Sequence, residues 1–134
     1  MSSAAAKKPR PKYLSLTALL FEIRLPRPGW VSILHRVSGA LLFAALPLGV
    51  WALSVSLADE AGFRRIADCI AHPLARLVLL GWIWAFAHHL LAGVRHLALD
   101  AHWGTDLKNA RQSSLAVVLA SGLVTLLAAW RLFA

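Results

Sequence analysis

The sequence predicts an all-α integral membrane protein with three transmembrane helices and a short interfacial helix. Three observations carry this. Of 134 residues, 59% are hydrophobic, and the mean hydropathy is +0.65, well above a soluble domain of this size. The apolar residues fall in long unbroken blocks and not in 3.6-periodic stripes. No roughly ten-residue alternating segments of the kind a membrane barrel needs are present.

Taken in order, residues 1–12 are polar, with Lys7, Lys8, Arg10 and Lys12 beside Pro9 and Pro11. This reads as a cytoplasmic tail whose charges meet anionic lipid headgroups or simply water. Residues 14–25 are apolar but too short to span, and they contain Glu22 and Arg24; they are expected at the interface or against a partner. No cleavable signal peptide is expected, because the first apolar run comes late and lacks a small-residue cleavage site. Pro26 and Pro28 end that stretch, and Trp30 fits the aromatic belt at the entry to the first span. Residues 37–57 are twenty-one uncharged residues, enough to cross with some tilt. Pro47 lies inside and is expected to kink the helix, and Asp59 and Glu60 end it.

Phe63, Ile66, Ala67 and Ile70 then recur at i, i+3, i+4 and i+7, with Arg64, Arg65 and Asp68 on the other side. That is an amphipathic helix lying on the far membrane face. His72, read as an exposed turn residue, and Pro73 lead into the second span. Residues 77–94 contain no Lys, Arg, Asp or Glu across eighteen positions, or about 27 Å of helix. Residues 101–112 form a polar loop, and 113–130 are a third uncharged run. Leu126, Leu127 and Trp130 read as lipid-facing; Ser114, Ser121, Gly122 and Thr125 offer close helix contact. The organisation is thus a cytoplasmic and interfacial segment, 1–29, and a three-helix membrane domain, 30–134, with spans near 30–57, 74–100 and 113–131.

The net charge of +8 is a topology signal here, since the basic residues flank apolar spans. Seven Lys and Arg precede residue 37 and three lie in 95–112, against three in 58–76 and one near the C-terminus. The N-terminus is therefore expected in the cytoplasm and the C-terminus outside. The single Cys69 excludes an internal disulfide and a cysteine metal cluster within this chain.

The chemistry concentrates in the second span. His88 and His89 sit inside its apolar run, and His89, Gly93 and His96 share one face at i, i+4 and i+7. An imidazole in lipid needs a hydrogen-bond or metal partner. His89 is either an axial ligand to haem iron or a group bonded to another helix. Gly93 leaves room for a flat macrocycle, and His35, Arg36, Arg95 and His96 lie at the nearer interface, where carboxylates of such a group would fall. His88 points about 100° away and reads as an interhelical hydrogen-bonding residue. One strong ligand at that depth implies that a second comes from another chain or another copy. Ser32 and Arg36, at i and i+4 on the first helix, could hydrogen-bond a quinone carbonyl or be a plain serine and a snorkelling arginine.

The segments SILHRVSG (32–39) and HLLAGVRHLALD (89–100) together resemble the two signatures of the cytochrome b membrane anchor of succinate dehydrogenase, the respiratory complex II. Size, three spans and orientation agree, so the resemblance covers nearly the whole chain. Leu99 departs from it, standing where the family usually has an aromatic residue or Met; that is a change of packing. The resemblance implies that His89 is the axial ligand of haem b, with the other ligand from a second small anchor subunit. It implies that His35, Arg36 and His96 lie near the haem propionates and quinone pocket, and that Ser32 and Arg36 bind ubiquinone. The implied partners are a flavoprotein subunit, an iron–sulfur subunit and the second anchor, in a hetero-oligomeric helix bundle in a bacterial inner membrane, or the mitochondrial inner membrane in a eukaryote. The catalytic machinery belongs to those partners; this chain has neither a cysteine cluster nor a nucleotide-binding glycine motif. Asp100 is expected beside the route of protons from the cytoplasm.

Other readings are a fumarate reductase anchor working in reverse and a haem-free scaffold. A transporter lacks support from inverted repeats or paired intramembrane acids, and a nucleic-acid binder from any basic face.

Overall fold

The computed structural model describes residues 25–134; the expected tail and interfacial stretch before Leu25 lie outside them. Four helices follow in order: α1 (Arg27–Ala58), α2 (Glu60–Ala71), α3 (Pro73–Asp100) and α4 (Leu107–Phe133). α1, α3 and α4 are each long and apolar enough to cross a membrane.

Local chemistry sets the boundaries. Pro26, in extended backbone, leads into α1, and Pro28 sits in its first turn, where a missing N–H costs no helical bond. Pro47 lies within α1, which runs through it. Asp59 is extended and caps α2, its carboxylate accepting from the Gly62 N–H. Gly62 is buried against the end of α1: a Cβ there would run into the Val55 carbonyl oxygen. That glycine lets α2 fold back on α1. The His72 Nδ1 accepts from the Leu74 N–H at 3.2 Å, so the exposed turn histidine is the N-cap of α3. After α3, His102 (φ 62°) and Gly104 (φ 69°) turn the chain in the left-handed region. Asp106 caps α4 through the Asn109 N–H at 3.1 Å. α4 therefore starts inside the expected polar loop, because an Asp cap recruits the polar residues 107–112 into its first turns.

α3 is the central helix, packed along both α1 and α4. Successive long helices are antiparallel: Arg76 Nη1 near the start of α3 reaches the Leu132 carbonyl at the end of α4 and Arg95 near its end reaches the Ala110 carbonyl, while on α1 Gly39 lies against His89 and the earlier His35 against Gly93. Val31, Ala92 and Val117, one from each long helix, form a small buried cluster. Most other large apolar side chains, such as Phe43, Leu57 and Leu126, face outward. A helix set that is apolar all round is built for lipid and for partner helices.

Candidate functional site: an imidazole cluster between α1 and α3

The antiparallel packing of α1 and α3 brings residues 35–39 against 89–96. The rings of His35 and His89 stack, with centroids 4.1 Å apart and 13° between planes. His96 tilts against His35 at 5.2 Å and 49°. Two glycines line the approach, and Gly39 is the one it requires. A Cβ at Gly39 would sit 2.9 Å from His89 Cε1, and one at Gly93 would sit 3.4 Å from His35 Cε1. The space at Gly93 is thus taken up in this chain by the His35 ring. Gly39, silent in the sequence except as part of SILHRVSG, makes the tighter approach; it could have been found only by knowing which helices pair.

The hydrogen bonds orient the ring. His89 Nδ1 lies 3.0 Å from the His35 carbonyl oxygen and 3.4 Å from Ser38 Oγ. The Ser38 hydroxyl, fully buried, donates to that same carbonyl at 2.9 Å. A carbonyl can only accept, so this network assigns the proton to Nδ1. The Nε2 lone pair is then left for a ligand, the arrangement by which metal-binding histidines are commonly held. A second group is also unmet: His35 Nδ1 is buried with no hydrogen-bond partner among the described residues. Such an atom costs about 1–3 kcal/mol unless something outside the chain satisfies it.

The other candidates divide. Ser32 is half-buried and Arg36 exposed, one turn apart on α1 and adjoining His35. Asp100 is exposed at the end of α3. Arg95 requires a correction. It is 7% exposed and faces away from the imidazoles: Nε donates to Ser113 Oγ at 3.0 Å, and Nη2 to the Ala110 carbonyl at 3.2 Å. It ties α3 to α4 and is not among the cations beside the histidines. His88 is buried between helices, as its position suggests, but its ring stacks on Trp84 at 5.4 Å and its Nε2 has no hydrogen-bond partner among the described residues. Among the described residues no three His, Cys, Asp or Glu side chains gather as a cage for a bare metal ion.

The family model described as succinate dehydrogenase/fumarate reductase transmembrane subunit matches residues 7–128. The chain belongs to this family. Curated relatives agree. A succinate dehydrogenase cytochrome b556 subunit of Paracoccus denitrificans is 34% identical over 104 residues, covering 78% of this chain and 80% of the relative. The cytochrome b556 subunit of Coxiella burnetii is 33% identical over 89% of this chain and 93% of its own length, and that of Rickettsia felis 31% over 90% of each. The family match takes in both helix segments that form the imidazole cluster. This is a multi-pass membrane subunit of the succinate dehydrogenase class, and the resemblance drawn from 32–39 and 89–100 is borne out at the level of the family.

Proposed function

We propose that this chain is the haem b-binding membrane-anchor subunit of a succinate:quinone oxidoreductase, and that it forms part of the ubiquinone-reduction site. The observation that carries the reading is His89: a half-buried imidazole whose Nδ1–H is bonded to the His35 carbonyl and whose Nε2 is thereby free to ligate iron. The residues present fit such a group. His35 Nδ1, buried and unpartnered among the described residues, suits a propionate oxygen, and His96 lies against the same ring. When bound, haem b supplies a one-electron carrier between helices.

This chain's own residues do the rest. His89 would hold haem iron through its Nε2, and a second anchor subunit would supply a further ligand. Ser38 and the His35 carbonyl keep His89 in one tautomer. The Arg36 guanidinium and Ser32 hydroxyl hydrogen-bond the quinone, and Arg36 stabilises negative charge growing on its oxygen during reduction. Asp100 stands at the same end of the bundle, beside the proton supply. A flavoprotein and an iron–sulfur subunit in the cytoplasm deliver electrons from succinate. The relatives described above are named as succinate dehydrogenase subunits, which supports the succinate-oxidising direction over fumarate reduction. The excess of Lys and Arg at the N-terminal side supports a cytoplasmic N-terminus in a bacterial inner membrane.

The deciding experiment is a reduced-minus-oxidised visible spectrum of the purified assembly. The wild type should show a b-type band, and His89→Ala should lose it. A wild type without such a band, or a band unaltered in the variant, overturns the reading and favours the scaffold.

A further inference from the structure

At the opposite end of the bundle from the His35–His89–His96 cluster, α1, α2 and α3 line a groove of about 850 Å³, walled by apolar side chains that include Trp51, Val78 and Trp82, with His72 also in its lining. Its rim carries Arg65 and Asp68 from α2. These two charges stand one turn apart and neither is ion-paired among the described residues, whereas the neighbouring Arg64 is held by Glu60. The burial of Gly62 against the Val55 carbonyl fixes α2 across the end of α1, so the rim is built by the fold. The groove is lined from Leu74 to Trp82 along α3, eight residues or about 12 Å. That approaches the ~15 Å hydrocarbon depth of one leaflet, half of a core of about 30 Å.

We propose that this groove is a binding site for one phospholipid of the far leaflet with a phosphoethanolamine headgroup. Its acyl chain lies along Trp51, Val78 and Trp82. Its phosphate is held by Arg65 and its ammonium donates to Asp68. The charge pattern selects the class. An anionic headgroup without an ammonium leaves Asp68 unmatched and repelled, and a trimethylammonium has no N–H to donate to a carboxylate. A partner helix would have to bury both charges to fill the groove. The proposal needs only that the three long helices span a membrane, so it does not depend on the cofactor or quinone reading.

The test uses the intact assembly extracted in mild detergent from membranes containing phosphatidylethanolamine, phosphatidylglycerol and cardiolipin. Native mass spectrometry then counts retained lipid. The wild type should keep phosphatidylethanolamine about tenfold over phosphatidylglycerol of equal chain length. The double variant Arg65→Gln, Asp68→Asn should lose that preference, and Ala52→Phe, which fills the groove below an unaltered rim, should lose the lipid. If Ala52→Phe does not assemble, the double variant decides alone, since its two positions are exposed on α2. Three results would overturn the site: equal or preferential retention of phosphatidylglycerol or cardiolipin, retention indifferent to the variants, or cross-linking of Cys69, which also lines the groove, to another subunit seated there. Haem absorbance serves as a separate readout: its absence from the wild-type assembly, with lipid retained as expected, would sink the proposed function and leave this site standing.

Discussion

The two seams of α3 are built from the same kinds of residue and behave in opposite ways. Toward α1 it presents His89 and His96, whose cluster leaves polar atoms unmet among the described residues: a free Nε2 on His89 and an unpartnered Nδ1 on His35. Toward α4 it presents Arg76 and Arg95, whose guanidiniums bond within the chain, to the Leu132 carbonyl at one end and to Ser113 and the Ala110 carbonyl at the other. α4 adds buried serines, Ser114 and Ser121, whose hydroxyls bond back to their own helix at 2.9 and 3.1 Å. A closed set of polar pairings is the mark of packing, and an open one the mark of a site waiting for something else. The difference gives each seam its own experimental signature.

The largest effect is expected on the open seam. Arg36→Ala should lower quinone reduction by about a hundredfold or more, the scale of losing one charge-stabilising donor. Succinate oxidation with a soluble dye should persist, because that chemistry needs only the partner subunits. Steady-state assays with both acceptors check this; unchanged quinone reduction would remove Arg36 from the site.

The closed seam should answer in stability instead. Arg95→Ala removes two charge-assisted bonds from a buried group, about 2–4 kcal/mol. The assembly should lose resistance to heating in detergent, while material that survives keeps an unaltered visible spectrum. A changed spectrum at unchanged thermal stability would mean that Arg95 belongs with the imidazoles after all.

This division also measures how much of the molecule is legible in its sequence. Span number, the α2 amphipathic helix and the family are readable, since they rest on local patterns: charge-free runs, a four-residue apolar repeat and two short motifs. The direction of Arg95 is not. It stands next to His96, so position along the chain groups it with the histidines; yet side chains one apart on a helix point about 100° apart, and only the placement of α4 says where that direction leads. Ser38 and Gly39 are likewise silent, because a buried hydroxyl and a missing Cβ gain meaning only from the ring packed against them. Polarity marks 107–112 as loop, where the Asp106 cap makes it helix.

A subtler probe of the open seam is Gly39→Ala. The added Cβ would fall 2.9 Å from His89 Cε1, closer than such contacts allow, so the ring must tilt away from α1. An off-rotamer ring costs on the order of 0.5–1.5 kcal/mol. The expected outcome is a shifted band and altered midpoint potential with the assembly intact. An identical spectrum would mean that the His89 ring does not keep this position against Gly39 in the assembled protein.

The smallest effect should come from Arg76→Gln. Its Nη1 donates to the Leu132 carbonyl at 2.8 Å, in the last turn of α4, where helix carbonyls have no intrahelical donor. A cation there gains both a hydrogen bond and a favourable place against the negative end of the helix dipole. Gln can still donate but carries no charge and is shorter, so the loss should be about 1 kcal/mol. Because α4 is also held at its other end by Arg95, the helix should fray only over its final turn. Hydrogen exchange of the amides at 130–134 should quicken while the rest of α4 and the b-type spectrum stay as they were. If the effect instead spreads along α4 to Ser114, the two arginines act as one cooperative clamp, and the double variant with Arg95→Ala should then depart from the sum of the single effects.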